Sequence, residues 1–160
     1  MKNVTFRLFT STLLILLITS STIAQTMERQ SFTAKGPFKV KMTPQGQNTT
    51  SGSITMGTYL VEKVFSGDLE ATSKFEMHTA GTDAGAAAYV ALEVITGTLG
   101  GKTGSFLLTH AGTMTKTDQQ LALTIAPESA SGELKGLEGT FKIVIENKEH
   151  FYVMEYSLPK

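Results

Sequence analysis

Strand-like alternation runs through most of the chain beyond its first two dozen residues. Within 140–146, Phe141, Ile143 and Ile145 share one parity, while Lys142 and Glu146 share the other. Successive side chains of a strand point to opposite faces, so this pattern buries one face and wets the other. Runs rich in Thr, Val, Ile, Phe and Tyr recur at 32–42, 54–65, 69–79, 86–96, 105–114, 121–126, 140–146 and 150–158. Eight such runs, separated by short polar or glycine-bearing turns, predict antiparallel strands at hairpin spacing. No stretch of about 12 residues carries an apolar helical stripe with caps. Eight antiparallel strands in one small domain must close or stack to hide their edges. An all-β, eight-stranded antiparallel β-barrel does this with the fewest exposed edges, and a sandwich is the alternative.

The punctuation is equally regular. Polar stretches at 45–53, 80–85, 115–119 and 127–132 read as loops, and Asn147-Lys148-Glu149 as a hairpin turn. Residues 25–31 read as a frayed polar lead-in. One pattern repeats: Gly97-x-Leu99-x-Gly101-x-x-Gly104-Ser105-Phe106 is echoed by Gly132-x-Leu134-x-Gly136-x-x-Gly139-Thr140-Phe141. In both copies the glycines are expected to supply positive φ for a tight connection, and the Leu to plug into the core. Gly101-Lys102-Thr103 does not make a phosphate loop, because the first glycine that motif requires falls on Thr96.

The N-terminus reads as an address. Lys2 and Arg7 precede the apolar run Leu13-Leu14-Ile15-Leu16-Leu17-Ile18, and Thr22-Ile23-Ala24 offers a small residue at the cleavage point. This is the layout of a signal peptide over 1–24, leaving one domain over 25–160. An exported location follows, periplasmic or extracellular. The apolar run is too short to cross about 30 Å of hydrocarbon, so no membrane association is expected after cleavage.

Composition narrows the chemistry. The 14 basic and 14 acidic side chains balance over 160 residues. The leader holds two of the bases and no acid, so the mature chain is slightly acidic. Nucleic acid, which needs a concentrated basic face, is not an expected partner. There is no Cys, which removes disulfides, thiolate metal sites and thiol nucleophiles.

Several segments carry a family resemblance: Phe65-Ser66-Gly67-Asp68-Leu69-Glu70, Tyr89-Val90-Ala91-Leu92-Glu93, Gly97-Thr98-Leu99 with Gly104-Ser105-Phe106, and His110-Ala111-Gly112-Thr113-Met114. The closing Gly132-Glu133-Leu134, Gly136-Leu137, Gly139-Thr140 and His150-Phe151-Tyr152 extend it. Together they resemble the DUF3224 family over about 32–158. That resemblance implies an allene oxide cyclase-like barrel, related to allene oxide cyclases and dirigent proteins, with a small apolar lumen and a tendency to form homo-oligomers. It further implies action on hydrophobic small molecules with no cofactor. The family pattern has Gly-Ser-Ala-Gly-Tyr and Gly-Arg where this chain has Gly85-Ala86-Ala87-Ala88-Tyr89 and Gly101-Lys102. No residue matches the cyclase or dirigent catalytic groups.

The candidate ligand-binding residues are Tyr89, Glu93, His110, Tyr152 and Tyr156. Run 86–96 is apolar on both parities, which predicts a central strand covered on both sides. Glu93 is its one carboxylate, beside Tyr89, Ala91 and Ile95. Burial there raises a carboxyl pKa and suits acid–base work; a structural carboxylate paired with a Lys or with backbone N–H groups is the alternative. The nearest cations along the chain are Lys74 and Lys102, so Glu93→Gln is expected to be nearly neutral or stabilising. His110 shares a face with Phe106, Leu108 and Met114, and a hydrogen-bonded core role competes with a chemical one. Tyr152 and Tyr156 share a face with His150 and Met154; they suit an aromatic ligand or ordinary packing equally. His78 is expected to face solvent, and Asp68 to cap a turn. The three His are not spaced as metal ligands, and no metal site is expected. The reading is a barrel that binds a small hydrophobic or aromatic molecule. A cofactor-free isomerase or cyclase and a ligand-free structural oligomer are the alternatives.

Overall fold

A computed structural model describes residues 28–160, and the signal read at 1–24 lies outside the described residues. The segments with alternating patterns form β1 (Arg29–Ser51), β2 (Ile54–Phe65), β3 (Leu69–Thr82), β4 (Ala87–Leu99), β5 (Lys102–Met114) and β6 (Gln119–Ile125). They continue as β7 (Ser131–Gly132), β8 (Glu138–Glu146) and β9 (Glu149–Pro159). Among the described residues these nine strands make one antiparallel sheet that closes in a ring, β1-β2-β3-β4-β5-β6-β8-β9 and back to β1. The strand beyond the expected eight is β7, a two-residue bridge onto Gly104 and Ser105 within the stretch read as a loop. Closure between β6 and β8 rests on a single register pair, Thr124 with Thr140.

Parity decides what each strand buries. On β3, Leu69, Ala71, Ser73 and Phe75 face inward, while Glu70, Thr72, Lys74 and Glu76 are exposed. The turn between β8 and β9 places Asn147 and Lys148 at φ 51° and 68°. Two left-handed residues give the twist that a two-residue hairpin needs.

Four expectations change. The stretch 45–53 is not a loop: β1 continues to Ser51, with Thr49 paired to Met56 and a register shift between Gln45 and Thr49. Its polarity reflects a hairpin that projects past the ring and is wetted on both faces, not an absence of pairing. Likewise Arg29, Gln30 and Ser31 pair with Pro159, Leu158 and Ser157 instead of fraying. On β4, Val90, Val94 and Leu92 (64% exposed) face outward without cover, because among the described residues the ring has no second layer around it. Finally, Gly104 does not have a positive φ. A Cβ there would stand 2.2 Å from the Ser131 carbonyl oxygen, and one on Gly139 would stand 2.2 Å from that of Glu155. Close backbone approach, rather than turn geometry, requires these two glycines. The leucines of the repeat do plug the core: Leu99 and Leu134 are buried.

The ring is filled at one end and hollow at the other. Phe65, Phe141 and Tyr152 pack with ring centroids 5.7–6.1 Å apart. Phe106, Leu99, Leu134 and Leu137 complete that end. Each fully buried side chain of this kind contributes about 1.5–3 kcal/mol. Tyr152 also ties the end together, since its hydroxyl accepts from the Leu69 N–H at 2.7 Å and donates to the Ser66 carbonyl at 3.1 Å. The Asp68 carboxylate accepts from the Lys35 N–H at 2.9 Å, so it ties the β2–β3 turn to β1 instead of capping N–H groups of its own turn.

Candidate functional site

The hollow end forms an open-mouthed cavity of about 880 Å³. Phe38, Tyr59, Phe75, Tyr89, Met77 and Met114 give it an aromatic and thioether wall, and Lys63 and His110 are its deep polar members. A concave apolar space with a few convergent polar groups is the usual form of a small-molecule site.

Four polar residues meet at the level where the cavity gives way to the packed end. They are Lys63 on β2, Ser73 on β3, Glu93 on β4 and His110 on β5, all buried. Parity brings them there, because each replaces an apolar residue at an inward position of its strand. Glu93, 0% exposed, is the hub. Its Oε2 accepts from Lys63 Nζ at 2.7 Å and from His110 Nε2 at 2.7 Å. Its Oε1 accepts from the Ser73 hydroxyl. Burial pushes the Glu93 carboxyl up, but the His110 donor, the Lys63 charge and hydrogen bond, and the Ser73 hydroxyl outweigh it. Glu93 is therefore held below its ordinary value and is ionised, the structural alternative of a carboxylate paired with a Lys.

Burial pulls the Lys63 ammonium down, against the pull of Glu93 in the other direction. The ammonium also sits 5.1, 5.5 and 5.8 Å from the ring centroids of Phe75, Phe38 and Phe65. Such a cage offers a cation part of what water would have given it. Phe75 in turn stacks on His110, with centroids 5.6 Å apart.

The five candidate residues separate. His110 and Tyr89 line the cavity. Burial raises the Tyr89 phenol, which stays a neutral donor. Its ring crosses Gly112 so closely that a Cβ there would come within 2.2 Å of Cε1. Glu93 stands behind Lys63 and His110 and does not line the cavity. Tyr152 belongs to the packed end. Tyr156 stacks on Phe32 at 5.2 Å and borders a separate depression of about 560 Å³ with Glu138 and Glu155. His150 lines the cavity wall beside Phe38, whereas His78 is exposed and bonded to Thr58. Lys63 and Ser73 were not anticipated. Both sit at inward parity, Lys63 between Val61 and Phe65 and Ser73 between Ala71 and Phe75, and that is the signal that marks them.

The family model described as "Protein of unknown function (DUF3224)" matches residues 34–156. The chain belongs to the DUF3224 family. A crystal structure of a DUF3224-family protein of unknown function from Shewanella oneidensis MR-1 is 41% identical. It superposes with a TM-score of 0.75, covering 82% of this chain and 98% of the Shewanella chain. No curated protein matches the sequence.

Proposed function

We propose that this DUF3224 member is an exported eight-stranded β-barrel, allene oxide cyclase-like in kind, that holds a small apolar or aromatic molecule in its hollow end. The observation that carries the reading is the cavity of about 880 Å³ walled by aromatic and thioether side chains. An ordinary packed ring would fill that volume, because voids in protein interiors cost stability. This chain packs one end to completion and leaves the other unfilled by its own side chains.

Native mass spectrometry of the protein recovered from its native cells tests the reading. A bound mass of a few hundred daltons is expected, and it should be absent from Met77→Trp, which fills the cavity from its wall. A bare protein that also fails to take up an apolar dye such as Nile red would overturn the reading.

A cofactor-free isomerase is the second reading, favoured by the Glu93–His110 contact at 2.7 Å. A carboxylate that orients a histidine is a common device for proton transfer. Turnover of a bound substrate that Glu93→Gln abolishes, with affinity retained, would select it over simple binding.

A further inference from the structure

We propose that His110 Nδ1 is the acceptor that selects the ligand, and that the ligand is a hydroxylated apolar compound, such as a phenol, with its hydroxyl at the deep end of the cavity. This rests on the cavity reading above. Glu93 is ionised and can only accept, so the Nε2 facing it at 2.7 Å carries the proton. In the neutral ring the other nitrogen, Nδ1, is then a bare acceptor. Among the described residues Nδ1 has no hydrogen-bond partner, and no buried side-chain nitrogen or oxygen is both sealed and unpartnered. Nδ1 therefore opens to the cavity that His110 lines.

Lys63 lines the same cavity and rests on the same carboxylate oxygen as His110. A hydroxyl answers the open acceptor: its proton goes to His110 Nδ1, while Lys63 stays paired with Glu93. A hydrocarbon leaves Nδ1 unanswered. A carboxylate brings no proton to Nδ1 and places its charge beside Glu93, whose own charge already neutralises Lys63. Sites with buried polar groups reject analogues that leave those groups unpaired.

The test compares 1-naphthol with 1-methylnaphthalene, which matches it in shape but has neither donor nor acceptor. Each competes against Nile red for the whole mature protein, with His110→Gln alongside. The Gln amide reaches the position of Nε2 and keeps a donor for Glu93, while its one acceptor, the amide oxygen, no longer stands at Nδ1. Naphthol should bind at least about tenfold more tightly to the native protein, although the methyl compound is the more apolar. His110→Gln should erase that preference and leave methylnaphthalene affinity nearly unchanged. ¹⁵N spectra of His110 in the native protein should show the Nε2-protonated tautomer, a readout that does not depend on the variant folding. Equal affinities, a preference that survives His110→Gln, or a proton on Nδ1, whether alone or together with one on Nε2, would each overturn the proposal while leaving the cavity reading intact. Failure of both compounds and of the dye to bind would overturn the cavity reading itself, and this proposal with it.

Discussion

Lys63 on β2 and Glu93 on β4 meet across the intervening β3, ammonium to carboxylate at 2.7 Å, with both side chains buried. Removing one member of such a pair strands the other charge. Glu93→Gln should therefore destabilise by about 3–5 kcal/mol at neutral pH, the opposite of the near-neutral effect expected when no cation was in view. Adding Lys63→Met to it should recover much of the loss. Urea denaturation of both single variants and the double variant measures the coupling.

The same pair sets an acid limit. Glu93 ionises below its ordinary value of 4.5 in the folded chain, so the unfolded chain takes up the proton first. The stability that Glu93 supplies is complete above that ordinary value and is lost as pH falls through the lower folded one. Denaturation midpoints followed from pH 7 to pH 3 should decline more steeply for the native protein than for Glu93→Gln.

The all-β antiparallel class, the strand count within one, and the inward position of Glu93 are legible in the sequence, because each depends on parity alone. The partner of Glu93 is not. It depends on the β2–β3 and β3–β4 registers, which bring residues 30 positions apart together. On β2 parity is also blurred, since exposed Val64 and half-buried Leu60 make the outer face as apolar as the inner one. Tyr152 and Tyr156 show a second limit. Alternation places them on the inward face, correctly, yet says nothing of depth along the ring, and depth separates a packed tyrosine from one at a cavity.

Gly112 should control the shape of the cavity. Gly112→Ala puts a methyl group where the Tyr89 ring now lies and must push that ring aside. The expected outcome is a displaced Tyr89 ring signal by NMR and altered affinity for an apolar dye, with the sheet intact. An unmoved ring would mean that the backbone gives way instead.

Gly104→Val and Gly139→Val should each destabilise by at least about 1–3 kcal/mol, because a side chain there collides with the backbone of a neighbouring segment. Thermal melts of the two variants check this, and native-like midpoints would show that the strands can separate to make room.

The ring should loosen first at the seam where β6 meets β8, which one register pair closes. Hydrogen exchange reads this directly: amides of β6 and β8 facing the seam should exchange well before those shared by β1 and β2, which pair over most of their length. Uniform protection around the ring would show the seam to be as firm as the rest.

The division between a packed end and a hollow end separates the residues that hold the fold from those that shape the cavity. Most of the buried apolar contacts that oppose unfolding lie below the Lys63–Glu93 level. The residues that would touch a guest lie above it, on walls where exchanging one side chain for another alters the shape of a space rather than the fit of a core. Relatives with the same sheet could thus differ in the shape of that space through Met42, Met77, Met114 and Ile145, which line it without packing against the main core, and the architecture would register little of it.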